Sequence, residues 1–350
     1  MRILGMDLGQ SKSAWAQLDT GTGECHEGWV SMDEAALRRC LEKRRPEQLV
    51  LESGPLAARV HDLAETLGIP VLVADPTQDA WQWKHVKRKT DPDDALKLVR
   101  LAAVGQIHPV HVPTLAVRQR RALCEYRRAL VAEQTRCKNR IRAALLVVGQ
   151  RLSAGKAAWN TPGEAALAPL ARPLAECGPE ELWRGVVQSE RQHLESVAQR
   201  LAEVEAKLNA LARYDPATQR VDSLPGVAVR TAEVVAVVLD RPQRFATRRQ
   251  VSAYAGLTPR RFQSGRMDRS GRISKQGSAL LRAALSQAAW AAVRCNPEFR
   301  AFFLRCGGGT KKRRKTAIVA VMRKLLVVAW AVLRDGTSYQ ARRLRTKAVA

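Results

Sequence analysis

Along the first hundred residues the spacing of hydrophobic positions changes repeatedly. Ile3, Leu4 and Met6 mark a short apolar strand over residues 2–6, a second strand pattern covers 13–18, and Thr20-Gly21-Thr22-Gly23 is a turn leading to a third strand at 28–30. Helical spacing follows over 32–43, then a buried strand at 48–51, a helix over 57–67 ended by Gly68, and a strand at Val71–Ala74. Three strands in hairpin register followed by alternating helices and strands predict an α/β layer fold, a mixed sheet covered by helices, over residues 1–104.

Residues 115–213 read as helical. The stretch 115–148 carries nine basic residues against two acids, Arg127, Arg136, Lys138 and Arg140 among the nine, which suits a long helix lying along a nucleic-acid backbone. Residues 149–179 contain Gly and Pro and break the pattern. From 181 to 213, Leu194, Val197, Leu201, Val204, Leu208 and Leu211 recur in steps of three and four, a coiled-coil-like seam that belongs to a helix hairpin or a dimer contact. The organisation predicted is an α/β domain at 1–104, an all-helical middle at 105–215 and a mainly α basic domain at 216–350.

Composition sharpens this picture. The chain has 350 residues, 46% of them apolar, so it can bury a core, and its 59 Lys and Arg against 33 Asp and Glu leave a net charge of +26. Residues 216–350 hold 28 of those cations and six acids. A polyanion is the partner such a domain suits, nucleic acid first and a membrane surface second. The longest apolar run, 325–333, is preceded by Arg323 and Lys324, and Asp7 interrupts any signal-like start, so a cytoplasmic protein without a membrane partner is expected. Seven scattered cysteines, with no CxxC and no Cys/His cluster at zinc-ligand spacing, point to a reduced compartment and to no structural zinc.

Four acids stand where a sheet would gather them. Asp7 follows the first strand, Glu52 ends the Leu49-Val50-Leu51 strand, and Asp91 and Asp94 open a helix continuing through Leu96, Leu98 and Leu101. Carboxylates converging in this way can hold one or two hard cations, the arrangement used in metal-assisted phosphoryl transfer. Asp91 also fits an N-cap, because it precedes Pro92. The segment 5–13 fits a second reading, the first phosphate loop of an actin-like kinase with its Asp-x-Gly turn, although no second phosphate loop follows.

Met6-Asp7-Leu8-Gly9, Leu51-Glu52-Ser53-Gly54, Lys89-Thr90-Asp91-Pro92-Asp93-Asp94-Ala95, Cys137-Lys138-Asn139-Arg140-Ile141 and Leu224-Pro225-Gly226-Val227 occur in this order, followed by residues 254–260, Ser264-Gly265 and 273–277. This ordered set resembles the DEDD (RuvC-like) transposase/recombinase family of bacterial insertion sequences, IS110 type, across essentially the whole chain. The resemblance implies a ribonuclease H-like N-terminal domain in which Asp7, Glu52, Asp91 and Asp94 hold one or two Mg²⁺ ions, and a C-terminal serine that becomes covalently linked to DNA. That serine is best matched by Ser264, with Ser270 in reserve. The same resemblance implies donor and target double-stranded DNA, a structured guide RNA (the bridge RNA) and a homo-oligomer, dimer to tetramer. Where relatives carry a longer Ser/Thr/Gly run, this chain reads Gln263-Ser264-Gly265-Arg266, which leaves Ser264 as its one hydroxyl.

Read for itself, the C-terminal region offers three features. The Leu224–Val227 segment before an apolar helix resembles a helix-hairpin-helix phosphate turn, or is an ordinary helix start. Arg260, Arg261, Arg266, Arg269, Arg272 and Lys275 surround Ser264, either as cations for a phosphodiester transition state or as simple phosphate contacts. Lys311, Lys312, Arg313, Arg314 and Lys315 form a basic run beside Gly307–Gly309. No base-reading motif is visible, which agrees with specificity delegated to an RNA guide. The function expected is therefore Mg²⁺-dependent DNA recombination; a RuvC-like nuclease or a non-catalytic nucleic-acid-binding protein is the alternative.

Overall fold

The early apolar runs pair into one sheet. Strands β1 (Arg2–Asp7), β2 (Lys12–Asp19) and β3 (Cys25–Ser31) form an antiparallel meander; β4 (Gln48–Glu52) runs parallel to β1, and β5 (Val71–Ala74) parallel to β4. The strand order is β3-β2-β1-β4-β5. The computed structural model describes residues 1–75, 90–265 and 267–340, and the chain divides into two compact units, Met1–Thr114 and Leu115–Ala350.

In the first unit β1 is covered on both faces, which is why it reads as an unbroken apolar run. On one face Leu4, Met6, Leu49 and Leu51 pack with Leu37 and Leu41 of α1 (Glu34–Arg44) and Val60 and Leu63 of α2 (Ala57–Thr66). On the other, Ile3, Ala14, Ala16 and Val50 meet Ala95, Leu98 and Val99 of α3 (Asp91–Ala103). Gly5 sets the closeness of this second layer: a Cβ there would lie 2.7 Å from the Ala95 carbonyl oxygen and 2.9 Å from Val99 Cγ1. The α/β layer predicted from the hydrophobic pattern is present.

The start of α3 corrects one assignment. Thr90, rather than Asp91, is the N-cap: its Oγ1 accepts from the Asp93 N–H at 3.4 Å and donates to Asp93 Oδ2 at 2.6 Å. Asp91 is the first helical residue and Pro92 lies in the first turn, where a missing N–H costs no intrahelical bond.

In the second unit α4 (Leu115–Val147) and α6 (Leu182–Arg213) pack antiparallel, joined through α5 (Thr161–Leu167) and short 3₁₀ turns. Of the seam residues, Leu194, Val197, Val204 and Leu208 are buried, Leu201 is half-buried, and Leu211 is 37% exposed. The seam thus closes a hairpin within the chain. Helices α7 (Pro216–Asp222), α8 (Val229–Leu239), α9 (Arg248–Tyr254), α10 (Ala279–Cys295), α11 (Pro297–Arg305) and α12 (Arg314–Asp335) share a core with one end of that hairpin, so the helical middle and the basic region belong to one unit. Among the described residues α12 is the one helix long and apolar enough to cross a membrane, yet its Val321, Leu325, Leu326 and Trp330 lie inside this core. The Trp330 indole N–H donates to the Pro242 carbonyl at 2.8 Å.

A buried ion cluster ties α4 to α7 and α8. The Arg120 guanidinium reaches Asp215, the N-cap of α7, at 2.7 Å and the fully buried Glu233 at 3.0 Å; Arg230 reaches Glu233 at 2.7 Å. Burial pushes the Glu233 carboxyl up, whereas at Asp215 the same burial is outweighed by the Thr218 hydroxyl and Arg120, and its carboxyl is held down. One further element departs from the mainly helical expectation for residues 216–350: an antiparallel hairpin of β6 (Pro259–Ser264) and β7 (Met267–Ile273). All of β6 is exposed, so the hairpin carries no alternating apolar face by which a sequence would reveal it.

Candidate active site

Asp7 and Glu52 end neighbouring parallel strands. The register pairs Met6 with Leu51, so the two acids that follow stand side by side at the carboxyl ends of β1 and β4. Side chains alternate along a strand, which puts Asp7 and Glu52 on the face of Gly5 and Val50, the face covered by α3. Both are half-buried and line an open cleft of about 480 Å³ together with Gln10 and Ser53. Asp94 is 6% exposed and immediately precedes Ala95, whose carbonyl lies against Gly5; Asp91 is exposed one turn earlier. The first turn of α3 therefore presents Asp91, Asp93 and Asp94, and its free N–H groups favour negative charge there.

Four carboxylates without a nitrogen or sulfur donor among them suit a hard divalent cation. Asp7 and Glu52 share a sheet face, and Asp94 stands on the helix that covers it. Among the described residues, the groups with three or more ligand atoms within 4.8 Å of one another are Glu133, Cys137 and His193, and His61, Asp62 and Glu65. Asp93 was not predicted as a site residue; the sequence signal was its place in the first helical turn, and its carboxylate accepts from the Thr90 hydroxyl.

Ser264 stands exposed at the end of β6, opposite Met267 across the turn containing Gly265 at φ +54°. Arg261 makes a two-pronged ion pair with Asp268, at 2.9 and 2.6 Å, which raises the arginine and holds the Asp268 carboxyl below its usual range. The Arg269 guanidinium lies 5.6 Å over the Phe262 ring; Arg260, Arg272 and Lys275 are exposed. Arg266 and the side chain of Ser270 lie outside the described residues; Ser270 itself pairs with Arg261 in the hairpin register. The base of the hairpin is held by a residue the sequence reading missed: Arg282 donates to the Ala255 carbonyl at 3.2 Å and the Gly277 carbonyl at 2.9 Å.

The remaining basic candidates are distributed over two places. On α4, Arg127 pairs with Glu205, Arg136 with Glu133, and Arg140 with Glu190 and Glu133, while Lys138 and Arg142 flank Trp159 at 5.4 and 5.2 Å from its ring. Lys311, Lys312 and Arg313 are exposed in the turn after α11, where Gly307 and Thr310 carbonyls accept from backbone N–H groups; Arg314 and Lys315 open α12. The Leu224–Val227 turn joins α7 to α8, and Gly226, at φ +74°, lies so close to α10 that a Cβ would be 2.2 Å from the Ala292 nitrogen.

The profile of DEDD transposases of the IS110 type matches residues 4–149, and that of the IS116/IS110/IS902 transposase family matches 218–304. The transposase-like protein y4rJ of Sinorhizobium fredii is 30% identical over 98% of this chain and 94% of its own. The chain belongs to the IS110 family of insertion-sequence transposases. Other family relatives include the transposase of insertion element IS1111A of Coxiella burnetii, 27% identical over 78% of this chain and 74% of its own. The pilin gene-inverting protein of Moraxella lacunata is 33% identical over 34% of this chain and 38% of its own. A solved structure of Thermus thermophilus RuvC aligns with 31% of the chain and 100% of its own at 18% identity and a TM-score of 0.23, too slight a likeness to bear on the site. The first family match contains Asp7, Glu52, Asp91 and Asp94; the second contains Ser264 and the arginines beside it. The basic turn at 311–315 falls outside both.

Proposed function

We propose that this family member cuts and rejoins donor and target DNA through a Ser264–DNA link, with Asp7, Glu52, Asp91 and Asp94 holding one or two Mg²⁺ ions. The observation that carries the reading is the side-by-side ending of β1 and β4 in acids on the face where the acidic first turn of α3 packs. When bound, the metal neutralises phosphate charge and favours both the attacking and the leaving oxygen. Ser264 Oγ forms the new ester bond to phosphorus and gives up its proton, the deoxyribose oxygen leaves and gains one, and the phosphodiester energy is kept for rejoining. Arg260, Arg261, Arg266, Arg269, Arg272 and Lys275 offset the charge that develops.

A relative named for inverting a pilin gene supports rejoining as well as cutting. The net charge of +26 and the exposed basic run at 311–315 support long contacts with nucleic-acid backbone, DNA and a structured guide RNA alike. Two to four copies assemble around the DNA in this reading.

The test incubates full-length protein with the element's non-coding RNA, Mg²⁺ and matching DNA, and looks on a denaturing gel for a protease-sensitive protein–DNA adduct. An adduct in wild type that Ser264→Ala abolishes agrees with the proposal. Metal-dependent nicking without an adduct leaves a RuvC-like nuclease, and binding without either product leaves a non-catalytic protein.

A further inference from the structure

Four side chains with no part in the chemistry above meet on the α4–α6 hairpin. Glu133 and Cys137 stand one turn apart on α4, and Glu190 and His193 three residues apart on α6, so each pair shares a helix face. His193 Nε2 lies 3.1 Å from Glu133 Oε1, and the Cys137 thiol points at the same oxygen from 3.8 Å. A tetrahedral zinc ion with bonds of about 2.0–2.3 Å keeps its ligand atoms about 3.3–3.8 Å apart. The two spacings to Glu133 Oε1 lie close to that range, and Glu133, Cys137 and His193 keep one ligand atom each within 4.8 Å of one another; Glu190 joins them through Arg140 and turns in as the fourth ligand when the guanidinium leaves.

Arg140 now occupies the middle of this group. Its Nε donates to Glu190 Oε1 at 2.6 Å and its Nη2 to Glu133 Oε1 at 3.0 Å, and Nη2 lies 3.4 Å from Cys137 Sγ. The other Glu190 oxygen, Oε2, is buried with no hydrogen-bond partner among the described residues. A buried carboxylate oxygen without a protein donor is satisfied by water or by a cation. Two carboxylates and a thiol gathered around one guanidinium are a cation site, and a thiol with an imidazole makes it a site for a borderline-soft ion rather than for magnesium.

We infer that Glu133, Cys137, Glu190 and His193 form a four-ligand site for Zn²⁺ that staples the α4–α6 hairpin, with Arg140 as the cation that fills it when metal is absent. On binding, the Cys137 thiol releases its proton to solvent, a sulfur–metal bond forms, and no electron changes hands. Arg140, 44% exposed at its side chain, swings out to water. The cluster joins residues 133 and 137 to 190 and 193, which is why no local metal motif marks it in the sequence.

Cobalt is the probe, titrated into full-length metal-free protein in the presence of excess Mg²⁺. One Co²⁺ per chain is expected, with a thiolate charge-transfer band in the near ultraviolet and the visible bands of a four-coordinate ion. Cys137→Ser and His193→Gln lose the charge-transfer band or the binding itself, Cys295→Ser keeps both, and Arg140→Gln binds at least tenfold tighter. Because His193 is exposed, His193→Gln carries the test should Cys137→Ser fail to fold. The inference is overturned by wild type without the bands, by a charge-transfer band that survives Cys137→Ser, by unchanged binding in His193→Gln, or by equal or weaker binding in Arg140→Gln.

Discussion

Asp7 extends a strand whose Ile3, Leu4 and Met6 are almost fully buried, a place where a carboxylate is kept only with compensation from its surroundings. If that compensation is metal-related, Asp7→Asn, Glu52→Gln and Asp94→Asn each lower strand cleavage at least about a hundredfold, on the scale of losing a group that acts in the chemical step. Circular dichroism should show the folds intact; wild-type cleavage by any of the three removes that acid from the site. Glu233 is a different kind of buried acid, holding Arg120 and Arg230. Glu233→Ala takes the carboxylate from Arg230 and leaves Arg120 with Asp215 alone, and should destabilise the second unit by about 3–5 kcal/mol in a denaturant titration. A loss below about 1 kcal/mol would show the cluster to be dispensable. Burial, and then the Glu233 charge, push the neighbouring Cys124 thiol up to about 11, so it stays protonated at pH 8. Iodoacetamide at that pH should modify the exposed Cys295 and spare Cys124, read by peptide mass.

At the scale of elements, the layer contact at Gly5 is the hinge between sequence and site. Gly5→Ala forces a Cβ against the Ala95 carbonyl and Val99, moving the helix that carries Asp91 and Asp94. The expected result is a stability loss of about 1–3 kcal/mol together with a fall in cleavage larger than the fold change alone explains, measured on protein still folded at the assay temperature. Activity equal to wild type would mean that α3 does not set the geometry of the acids. The sheet, α1, α2, the long helices and their seam were legible because each buries a face and so imposes a period on the sequence. The β6–β7 hairpin was not, because a strand exposed throughout imposes none. The residue before Pro92 reads as a cap from sequence because proline disfavours helical dihedrals there, whereas the Thr90 hydroxyl takes that place in the fold. Glu52 and Asp7 could be placed at strand ends, but that they neighbour each other depends on β1 pairing with β4 across an intervening hairpin, which only long-range packing decides.

For the whole molecule the dominant property is charge, with 28 Lys and Arg and six acids in residues 216–350. Part of the basic complement is neutralised internally, as Arg127, Arg136 and Arg140 show on α4, and sequence alone does not separate such pairs from free cations. The turn at Lys311, Lys312 and Arg313 is exposed and lies in no ion pair among the described residues. Replacing all three with Gln should flatten the dependence of log affinity on log salt by up to about 0.9 for each duplex phosphate the turn neutralises, without altering the metal requirement for cleavage; an unchanged slope removes this turn from the interface. A serine-linked exchange of DNA strands is tested by digesting the protein–DNA adduct with nuclease and trypsin and finding the peptide that retains a nucleotide. Trypsin releases residues 262–266, with Ser264 as their one hydroxyl, separately from 270–272, which hold Ser270. The nucleotide is expected on 262–266; its presence on 270–272, or on no serine peptide at all, would overturn the assignment of Ser264.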